Sequence, residues 1–168
     1  GAVLVQPTRD GSAVAVYVSK PYYVIEGFDI DGSSTTYNTG ANAAHAGIGI
    51  YASNVTVRRN HIHDIARTQC SNSAFGNAGV FTNLGLSNIL IEYNLIHTIG
   101  RLRNGESGCS TTRFQHDHGI YITWGTDITV KRNIVYDTNR GYAMNIYSTS
   151  TSVHTRYKIY NNTFAGRS

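Results

Sequence analysis

A short phrase of alternating apolar and polar residues recurs along the chain, and each copy turns at an asparagine. The clearest copies are NVTVRRNHIHD, NILIEYNLIH and DITVKRNIVYD, which begin at Asn54, Asn88 and Asp127. Alternation with a period of two over about four or five residues indicates short β-strands on either side of each turn. The repeated phrases are about 30 to 40 residues apart, which is the period of a solenoid.

A further strand, led by glycine, precedes the phrase in each repeat. Its copies are GIGIY from Gly47, GVFTN from Gly79 and GIYIT from Gly119, with YAMNIY from Tyr142 as a fourth. Short strands joined by tight turns, with no helical segment between them, predict coils that stack on one another. We therefore predict an all-β solenoid with about five coils of three short strands each.

Aligning the repeats assigns a direction to each side chain, and three rows are predicted to point inward as the core. These rows are Ile48, Val80, Ile120 and Met144; Val55, Ile89, Ile128 and Tyr157; and Ile30, Ile62, Ile96, Val135 and Phe164. Another row falls on one turn position of the repeat and consists of Asn60, Asn94, Asn133 and Asn162. Stacked carboxamides at one turn can bond to one another and to the bent backbone, which predicts a structural asparagine ladder.

Two outward rows are also interpreted as structural. The row of the middle strand alternates in charge and consists of Glu26, Arg58, Glu92, Lys131 and Tyr160. Since adjacent coils lie about 4.8 Å apart, neighbours in this row are predicted to form ion pairs. The row outside the third strand consists of His63, His97 and Tyr136, which we interpret as rings stacked beneath Asp31.

Length and composition fit this architecture. Charged residues make up 14% of the 168 residues, and the chain has 17 glycines but only 2 prolines. Residues 1–168 are interpreted as a single domain with a continuous core. Because Gly1 and Ser168 both interrupt coils, we expect a segment of a longer chain or a unit that stacks head to tail.

The charge distribution bears on the class of partner. The formal net charge is +4, and the basic residues are scattered, so no nucleic-acid partner is predicted. No apolar run is long enough to cross a bilayer, so no membrane partner is predicted either. A mild positive field favours an anionic partner such as an acidic polysaccharide, and a basic surface without any ligand is the alternative.

The two cysteines, Cys70 and Cys109, both fall in loops between repeats. If the coils stack, these loops are neighbours, and we predict that the two cysteines form a disulfide. Disulfides persist in oxidising compartments, so the expected location is secreted or at the cell surface.

The repeated phrases, together with the strands HGIY and RGYAMNIY between His118 and Tyr147, resemble the right-handed parallel β-helix proteins of the pectin-lyase-like superfamily. The resemblance covers nearly the whole chain and implies a right-handed helix. It does not imply one chemistry, because the same repeat serves lyases, hydrolases, epimerases, tailspikes and surface proteins. It does imply that a ligand would lie outside the glycine-led strands, walled by the long loops that lead into them.

On that face the sequence offers several candidates for contact with a ligand. Tyr51, Phe81, Asn145 and Tyr147 are candidate ligand-binding residues, Asn83 and Thr123 lie beside them, and Tyr121 is a candidate catalytic residue. Aromatic rings on a flat strand face suit the apolar faces of sugar rings. The alternative is that tyrosine and phenylalanine are there because they favour strands.

Charged and imidazole side chains are expected at the edge of the same face. Arg113 and His118 are candidate ligand-binding residues, and His116, Asp117 and Arg140 are candidate catalytic residues. The His-Asp-His segment could supply a general base with an orienting carboxylate, or ligate a metal, although no third or fourth ligand is evident. Alternatively, this loop caps its own strand and forms no site.

An enzyme of this type would use these residues in a defined way. In a lyase, His116 or Tyr121 would abstract the proton α to a uronate carboxylate, which Arg113 or Arg140 would neutralise. The motifs of the characterised enzymes are absent, including the aspartate cluster that holds calcium and the aspartate pair with Gly-His-Gly. We therefore predict no metal and no cofactor, because calcium would require an acidic cluster that the sequence lacks.

Three functions are compatible with these observations. The first is an extracellular lyase, hydrolase or epimerase that binds or cleaves an acidic polysaccharide. The second is a non-catalytic structural, adhesive or fibre-forming surface protein. The third is a glycan-binding module without catalysis, and the sequence leaves the choice between an enzyme and a non-enzyme open.

Overall fold

Parallel pairing between successive coils defines the architecture. The computed structural model describes residues 3–5, 14–33, 45–112, 115–149, 151 and 153–165. Each strand in these ranges pairs in parallel with a strand of an adjacent coil, so that three sheets run along the molecule. The one helical element in these ranges is a 3₁₀ turn at Glu106–Gly108. No helix in them is long and apolar enough to cross a membrane.

The three sheets are numbered here by the order of their strands within a coil. Sheet I consists of β2 (Val14–Val18), β5 (Ala46–Ile50), β8 (Ala78–Thr82), β11 (His118–Ile122) and β14 (Met144–Ile146). Sheet II consists of β3 (Val24–Glu26), β6 (Val55–Arg58), β9 (Leu86–Glu92), β12 (Gly125–Lys131), β15 (His154–Thr155) and β16 (Lys158–Tyr160). Sheet III consists of β1 (Val3–Val5), β4 (Phe28–Asp31), β7 (His61–His63), β10 (Leu95–Ile99), β13 (Ile134–Thr138) and β17 (Thr163–Ala165). The predicted parallel β-helix of about five coils is confirmed.

The predicted inward rows form the core. In sheet I the strand register pairs Ile48 with Val80, Val80 with Ile120, and Ile120 with Met144. The rows of sheets II and III pair in the predicted register too. Two members depart from the prediction: Tyr157 precedes β16 and packs against the core from outside a strand, and Phe164 in the last coil is 40% exposed and lies outside the core. Burying one isoleucine side chain stabilises a fold by about 1.5–3 kcal/mol, so these continuous rows supply the main driving force for folding.

Glycine near the start of the sheet I strands lets sheet I approach sheet III closely. A Cβ atom added at Gly79 would lie 2.5 Å from Cγ2 of Ile96 and 2.7 Å from the carbonyl oxygen of Gly119. A Cβ at Gly47 would lie 2.5 Å from Cγ2 of Ile62. These distances are too short for any side chain, which explains why the strand is led by glycine in successive coils.

The asparagine ladder at the turn between sheets II and III is confirmed. Oδ1 of Asn94 accepts hydrogen bonds from the backbone nitrogen (3.1 Å) and Nδ2 (3.0 Å) of Asn60, and its Nδ2 donates to the carbonyl of Val57 (3.0 Å). Asn133 accepts from Asn94 in the same way, and Asn162 accepts from Asn133. The ladder therefore satisfies buried backbone groups at each bend, which would otherwise be destabilising.

The alternating charges outside sheet II form the predicted ion pairs. Arg58 contacts Glu26 at 2.8 Å, and Lys131 contacts Glu92 at 3.2 Å. Glu26 also contacts Arg59, a pair that the alignment of repeats does not predict. This face therefore has its charges largely matched within the protein.

The predicted disulfide between Cys70 and Cys109 is confirmed, with the two Cα atoms 5.5 Å apart. It joins the loop that precedes β8 to the loop that precedes β11. Both loops lead into sheet I, so the bridge ties together two segments that border the outer face of that sheet.

Candidate functional site

A groove of about 740 Å³ lies on the outer face of sheet I. Its volume falls in the range of about 300–1,000 Å³ that is typical of small-molecule and cofactor sites. The floor comes from outward side chains of the sheet, and the walls come from the loops that lead into β5, β8 and β11. This is the face on which the resemblance places a ligand.

Aromatic rings follow one another along the outer face of sheet I, and all but the first of them line the groove. The row runs from Tyr17 through Tyr51, Phe81 and Tyr121 to Tyr147, with successive ring centroids 4.3, 5.8, 6.0 and 6.3 Å apart. Each ring comes from a different coil, so the row runs parallel to the axis of the solenoid and across the strands.

Gly49 explains how Tyr51 joins this row. The strand register places Gly49 between Tyr17 and Phe81, where it has no side chain to contribute. A Cβ atom at this position would lie 2.8 Å from Cε2 of the Tyr51 ring. The ring therefore leans into the space above the glycine, and a larger residue at position 49 would displace it.

The tyrosine hydroxyls of the groove are available to a ligand. Those of Tyr51, Tyr121 and Tyr147 have no hydrogen-bond partner among the residues that the structure describes. Burial raises the pKa of Tyr51 and of Tyr121, with further contributions from Tyr17 and Tyr147 respectively. Both hydroxyls therefore stay protonated at neutral pH and act as donors and acceptors, which does not favour Tyr121 as a base.

The walls of the groove bring together residues that the sequence alignment left unassigned. The lining includes His45, Ala74, Phe75, Asn77 and Leu84. Of these, Phe75 is 80% exposed, which is unusual for a large apolar side chain. They lie in loops or at loop ends, where the repeat has no fixed register. The sequence feature that could have pointed to them is their position just before or just after the sheet I strands.

His118 lies beside the row as a buried, neutral imidazole. Its ring is stacked on Tyr121 and Tyr142, with centroids 5.3 and 5.7 Å away. Nδ1 accepts a hydrogen bond from the backbone nitrogen of Tyr142 at 3.2 Å, so the proton of the neutral ring is on Nε2, near the Asn145 amide. Burial is the main reason why the pKa of His118 is lowered to about 4; Asp117 opposes this shift, and the neighbouring His116 contributes to it.

This burial predicts a pH-dependent stability. The unfolded chain takes up a proton at His118 near its ordinary pKa of 6.5, whereas the folded chain takes it up only near 4. The contribution of neutral His118 to the free energy of unfolding is therefore fully present above pH 6.5 and is lost as the pH falls to 4. The loss is up to about 3 kcal/mol, at about 1.36 kcal/mol per pKa unit. In urea unfolding at pH 4 to 7, His118→Gln should lose less stability on acidification than the wild type by this amount. Equal losses in the two proteins would contradict the assignment.

Asp117, a candidate catalytic residue, is not available to a ligand in this structure. Its side chain is fully buried, and Oδ1 lies 2.9 Å from Nη2 of Arg101. Both oxygens also accept backbone and side-chain hydrogen bonds, from Arg101 and from Asn77. Since Asn77 belongs to the groove wall, Asp117 holds that wall in place and does not orient His116 as a base.

Arg140 is likewise turned away from the groove. The side chain is 4% exposed, and Nη1 donates to the carbonyls of Ser71 (3.0 Å) and Leu102 (3.4 Å). Burial, and the nearby charge of Arg101, lower its pKa. The expected position of Arg140 at the edge of a bound glycan is therefore not met, and Arg113 lies outside the described residues.

The remaining candidates do come together. His116 is half-buried and lines the groove. The other candidates that line it are Tyr51, Phe81, His118, Tyr121, Asn145 and Tyr147. The described lining contains no aspartate, glutamate, lysine or arginine. The groove therefore offers aromatic surface, hydroxyls, amides and imidazoles, a set that suits stacking and neutral hydrogen bonds better than acid–base chemistry. Side chains that could hold a metal ion lie elsewhere, outside sheet III.

Comparison with known proteins agrees with the fold. A family model described as a right handed beta helix region matches residues 10–168, which is most of the chain. No curated protein and no solved structure shows significant similarity to the chain.

Proposed function

This chain belongs to the right-handed beta helix family, and we propose that it is a member that binds a carbohydrate chain along the outside of sheet I. The observation that carries the proposal is the row of aromatic rings on the outer face of sheet I, with one ring from each of five coils and four of the five in the groove. A polysaccharide chain carries a succession of sugar rings, and each ring has an apolar face and hydroxyl groups at its edge. A linear row of rings flanked by free hydroxyls is complementary to both.

Binding is favoured over cleavage by the state of the candidate catalytic groups. Asp117 and Arg140 are buried, and the pKa of Tyr121 is raised, so neither a carboxylate nor a phenolate is presented to a ligand. His118 is a neutral ring already bonded to the backbone of Tyr142. Among the described lining residues this leaves His45 and His116 as the partly exposed imidazoles that could act as a general base.

An acidic polysaccharide is the proposed ligand class, for a reason that lies outside the groove itself. The net charge of +4 attracts a polyanion over distances of about a Debye length, whereas the described groove contributes stacking and neutral hydrogen bonds. The preference for an acidic over a neutral glycan of equal length should therefore be largest at low ionic strength. It should decline as salt is added.

The proposed location is extracellular. A disulfide between two loops is stable in an oxidising compartment and is rare in cytosolic proteins, and the Cys70–Cys109 bridge is such a disulfide. Polysaccharides are abundant outside cells, so location and proposed ligand are consistent.

Substitutions on the floor test the proposal. Tyr121→Ala should weaken binding of an oligosaccharide at least about tenfold, because it removes a central ring from the row. A tenfold loss of affinity corresponds to about 1.4 kcal/mol of binding free energy. Tyr121→Phe combined with His116→Ala, which removes a hydroxyl group and an imidazole ring but keeps the aromatic ring at position 121, should also weaken binding. The matched control is Tyr160→Ala, which removes a 43%-exposed tyrosine from the outside of sheet II and should leave binding unchanged.

Calorimetric titration with matched acidic and neutral oligosaccharides measures these affinities. Melting temperatures within a few degrees of wild type show that the variants fold, as expected for outward substitutions. If no glycan binds the wild type, or if Tyr160→Ala weakens binding as much as Tyr121→Ala, the proposal is wrong. Release of unsaturated uronate from a uronate polymer would instead identify a lyase.

A further inference from the structure

Histidine and aspartate side chains form a cluster on the outside of sheet III, a different face from the groove. The histidine–aspartate cluster consists of Asp29, Asp31, His61, His63, Asp64 and His97. The predicted ring stack is present within it, with the His63 and His97 centroids 5.4 Å apart and Tyr136 4.9 Å beyond His97. The sequence interpretation of this row as purely structural leaves out Asp29 and His61, which the structure adds.

We propose that Asp29, His61 and His63 bind a divalent transition metal ion of the zinc type. Oδ1 of Asp29 lies 3.0 Å from Nδ1 of His61 and 3.1 Å from Nε2 of His63, and the three ligand atoms lie within 4.8 Å of one another. Zinc bonds to histidine nitrogen and carboxylate oxygen are about 2.0–2.2 Å long, so two ligands of one ion are separated by about 3.0–3.5 Å. Two of the three separations already have the required size.

The ligands are held on rigid elements. Asp29 lies on β4 and the two histidines on β7, and these parallel strands are paired so that Asp29 lies opposite His61 and Asp31 opposite His63. Alternate residues of a strand point to the same side, so His61 and His63 necessarily face outward together. A site built on paired strands keeps its geometry better than a site built on loops.

Each ligand histidine is also oriented through its other ring nitrogen. Nδ1 of His63 lies 2.6 Å from Oδ2 of Asp64, and Nε2 of His61 lies 2.8 Å from Nε2 of His97. Nδ1 of His97 is in turn 2.8 Å from the hydroxyl of Thr98. Metal-binding histidines almost always have a partner for the far ring nitrogen, which fixes the ring and its tautomer, and a carboxylate such as Asp64 is one of the usual partners.

The donor set indicates the kind of ion. Two imidazoles and one carboxylate suit zinc and similar first-row ions, whereas calcium and magnesium prefer oxygen ligands alone. Three protein ligands leave at least one coordination position for water or an external group. His61 and Asp29 are 38% and 35% exposed, so an ion can enter from solvent. The ion would also join two adjacent coils.

The competing account is a cluster held by hydrogen bonds alone, with both ring nitrogens of His63 donating to carboxylates. The two accounts differ in whether added Zn²⁺ binds to the protein with a defined stoichiometry. Tag-free protein, treated with chelator and then dialysed, should bind one equivalent of Zn²⁺ in calorimetry. Added Co²⁺ should give the visible absorption of a low-coordinate site containing nitrogen ligands.

Three variants assign the binding to the cluster. Asp29→Asn and His61→Gln each remove a ligand and should lower the Zn²⁺ affinity at least about tenfold. Asp64→Asn keeps all three ligands and should lower it about 10–100-fold by releasing the far nitrogen of His63. Asp64 has a φ of 58°, which asparagine adopts readily, so this variant should fold normally. The matched control is His116→Gln, which removes a histidine from the groove and should bind Zn²⁺ as the wild type does.

The outcomes separate the accounts. Absence of saturable binding to the wild type overturns the proposal, as does equal affinity in Asp29→Asn, Asp64→Asn and the wild type. Binding lost in His116→Gln but kept in the cluster variants would place the ion in the groove and would also overturn it. Should Asp29→Asn fail to melt cooperatively, the comparison of His61→Gln with the wild type decides, because His61 belongs to the proposed ligand set and not to the neighbouring group of Asp31, His63 and Asp64. None of these results depends on whether the groove binds a glycan.

Discussion

Replacement of Arg101 by methionine is expected to lower the free energy of unfolding by about 3–5 kcal/mol, because it leaves a buried carboxylate without its cation. The side chains of Arg101 and Asp117 are 1% and 0% exposed, with Nη2 and Oδ1 2.9 Å apart. Methionine keeps much of the length and apolar volume of arginine, so the loss comes mainly from the charge. Urea unfolding, followed by the fluorescence of the single tryptophan, Trp124, measures it.

An exposed ion pair is the matched control for this result. Arg156 and Asp127 are 64% and 44% exposed and contact each other at 2.6 Å. Solvent screens such a pair, so Asp127→Asn should leave the free energy of unfolding nearly unchanged. The double variant Arg101→Met with Asp117→Asn should recover part of the loss, since no charge is left unpaired. Equal effects of Arg101→Met and Asp127→Asn would show that burial does not strengthen the inner pair.

Removal of the disulfide is expected to have an effect of similar size. The bridge closes a sequence separation of 39 residues, and the chain-entropy relation assigns about 4 kcal/mol to a loop of this length. The double variant Cys70→Ser with Cys109→Ser should therefore lose about this much stability in urea unfolding. The loss arises because the unfolded chain gains freedom, and the inner rows of the coils are untouched.

Reduction of the wild type provides the control for the serine variant. Wild-type protein in excess thiol should unfold at the same urea concentration as the double serine variant, and the variant itself should not respond to thiol. A double serine variant as stable as the oxidised wild type would mean that the disulfide does not contribute to the free energy of unfolding. Because the bridge borders the groove, the same samples show whether glycan binding needs the two loops to be tied.

The rows of the solenoid could be predicted from the sequence because the repeat fixes their register. Asn60, Asn94 and Asn133 recur at one point of the repeated phrase, and each coil must use that point in the same way. A slip of one residue would turn an inward isoleucine such as Ile96 outward, so only one register is compatible with a continuous core. The same reasoning correctly places Glu92 beside Lys131.

The loops could not be predicted in this way, and the two candidates that the structure turns away from the groove lie there. Asp117 stands between two histidines in the sequence, but its partner Arg101 is 16 residues away in a loop without a repeat. Nothing in the spacing indicates that pair. Arg140 belongs to a short connection for which the alignment gives no direction, and the structure turns it toward Ser71 and Leu102.

The histidine–aspartate cluster had a signal in the sequence that the alignment of repeats supports. Asp29 and Asp31 are two residues apart, as are His61 and His63, and a strand turns such residues to one side. The register of the phrases brings both pairs together. The sequence cannot show the rotamers that place three ligand atoms within reach of one ion, and those are visible only in the structure.

The aromatic row has a consequence for how such a surface can change in length. Since each coil contributes one ring, the row is counted in coils, and a duplication of one repeat would extend it by about 4.8 Å. The glycine before each strand and the asparagine after it would be copied with the repeat, so the new coil would arrive with its own means of stacking. A solenoid of this kind can therefore lengthen or shorten its reach in whole-number steps, without redesigning any contact already in place.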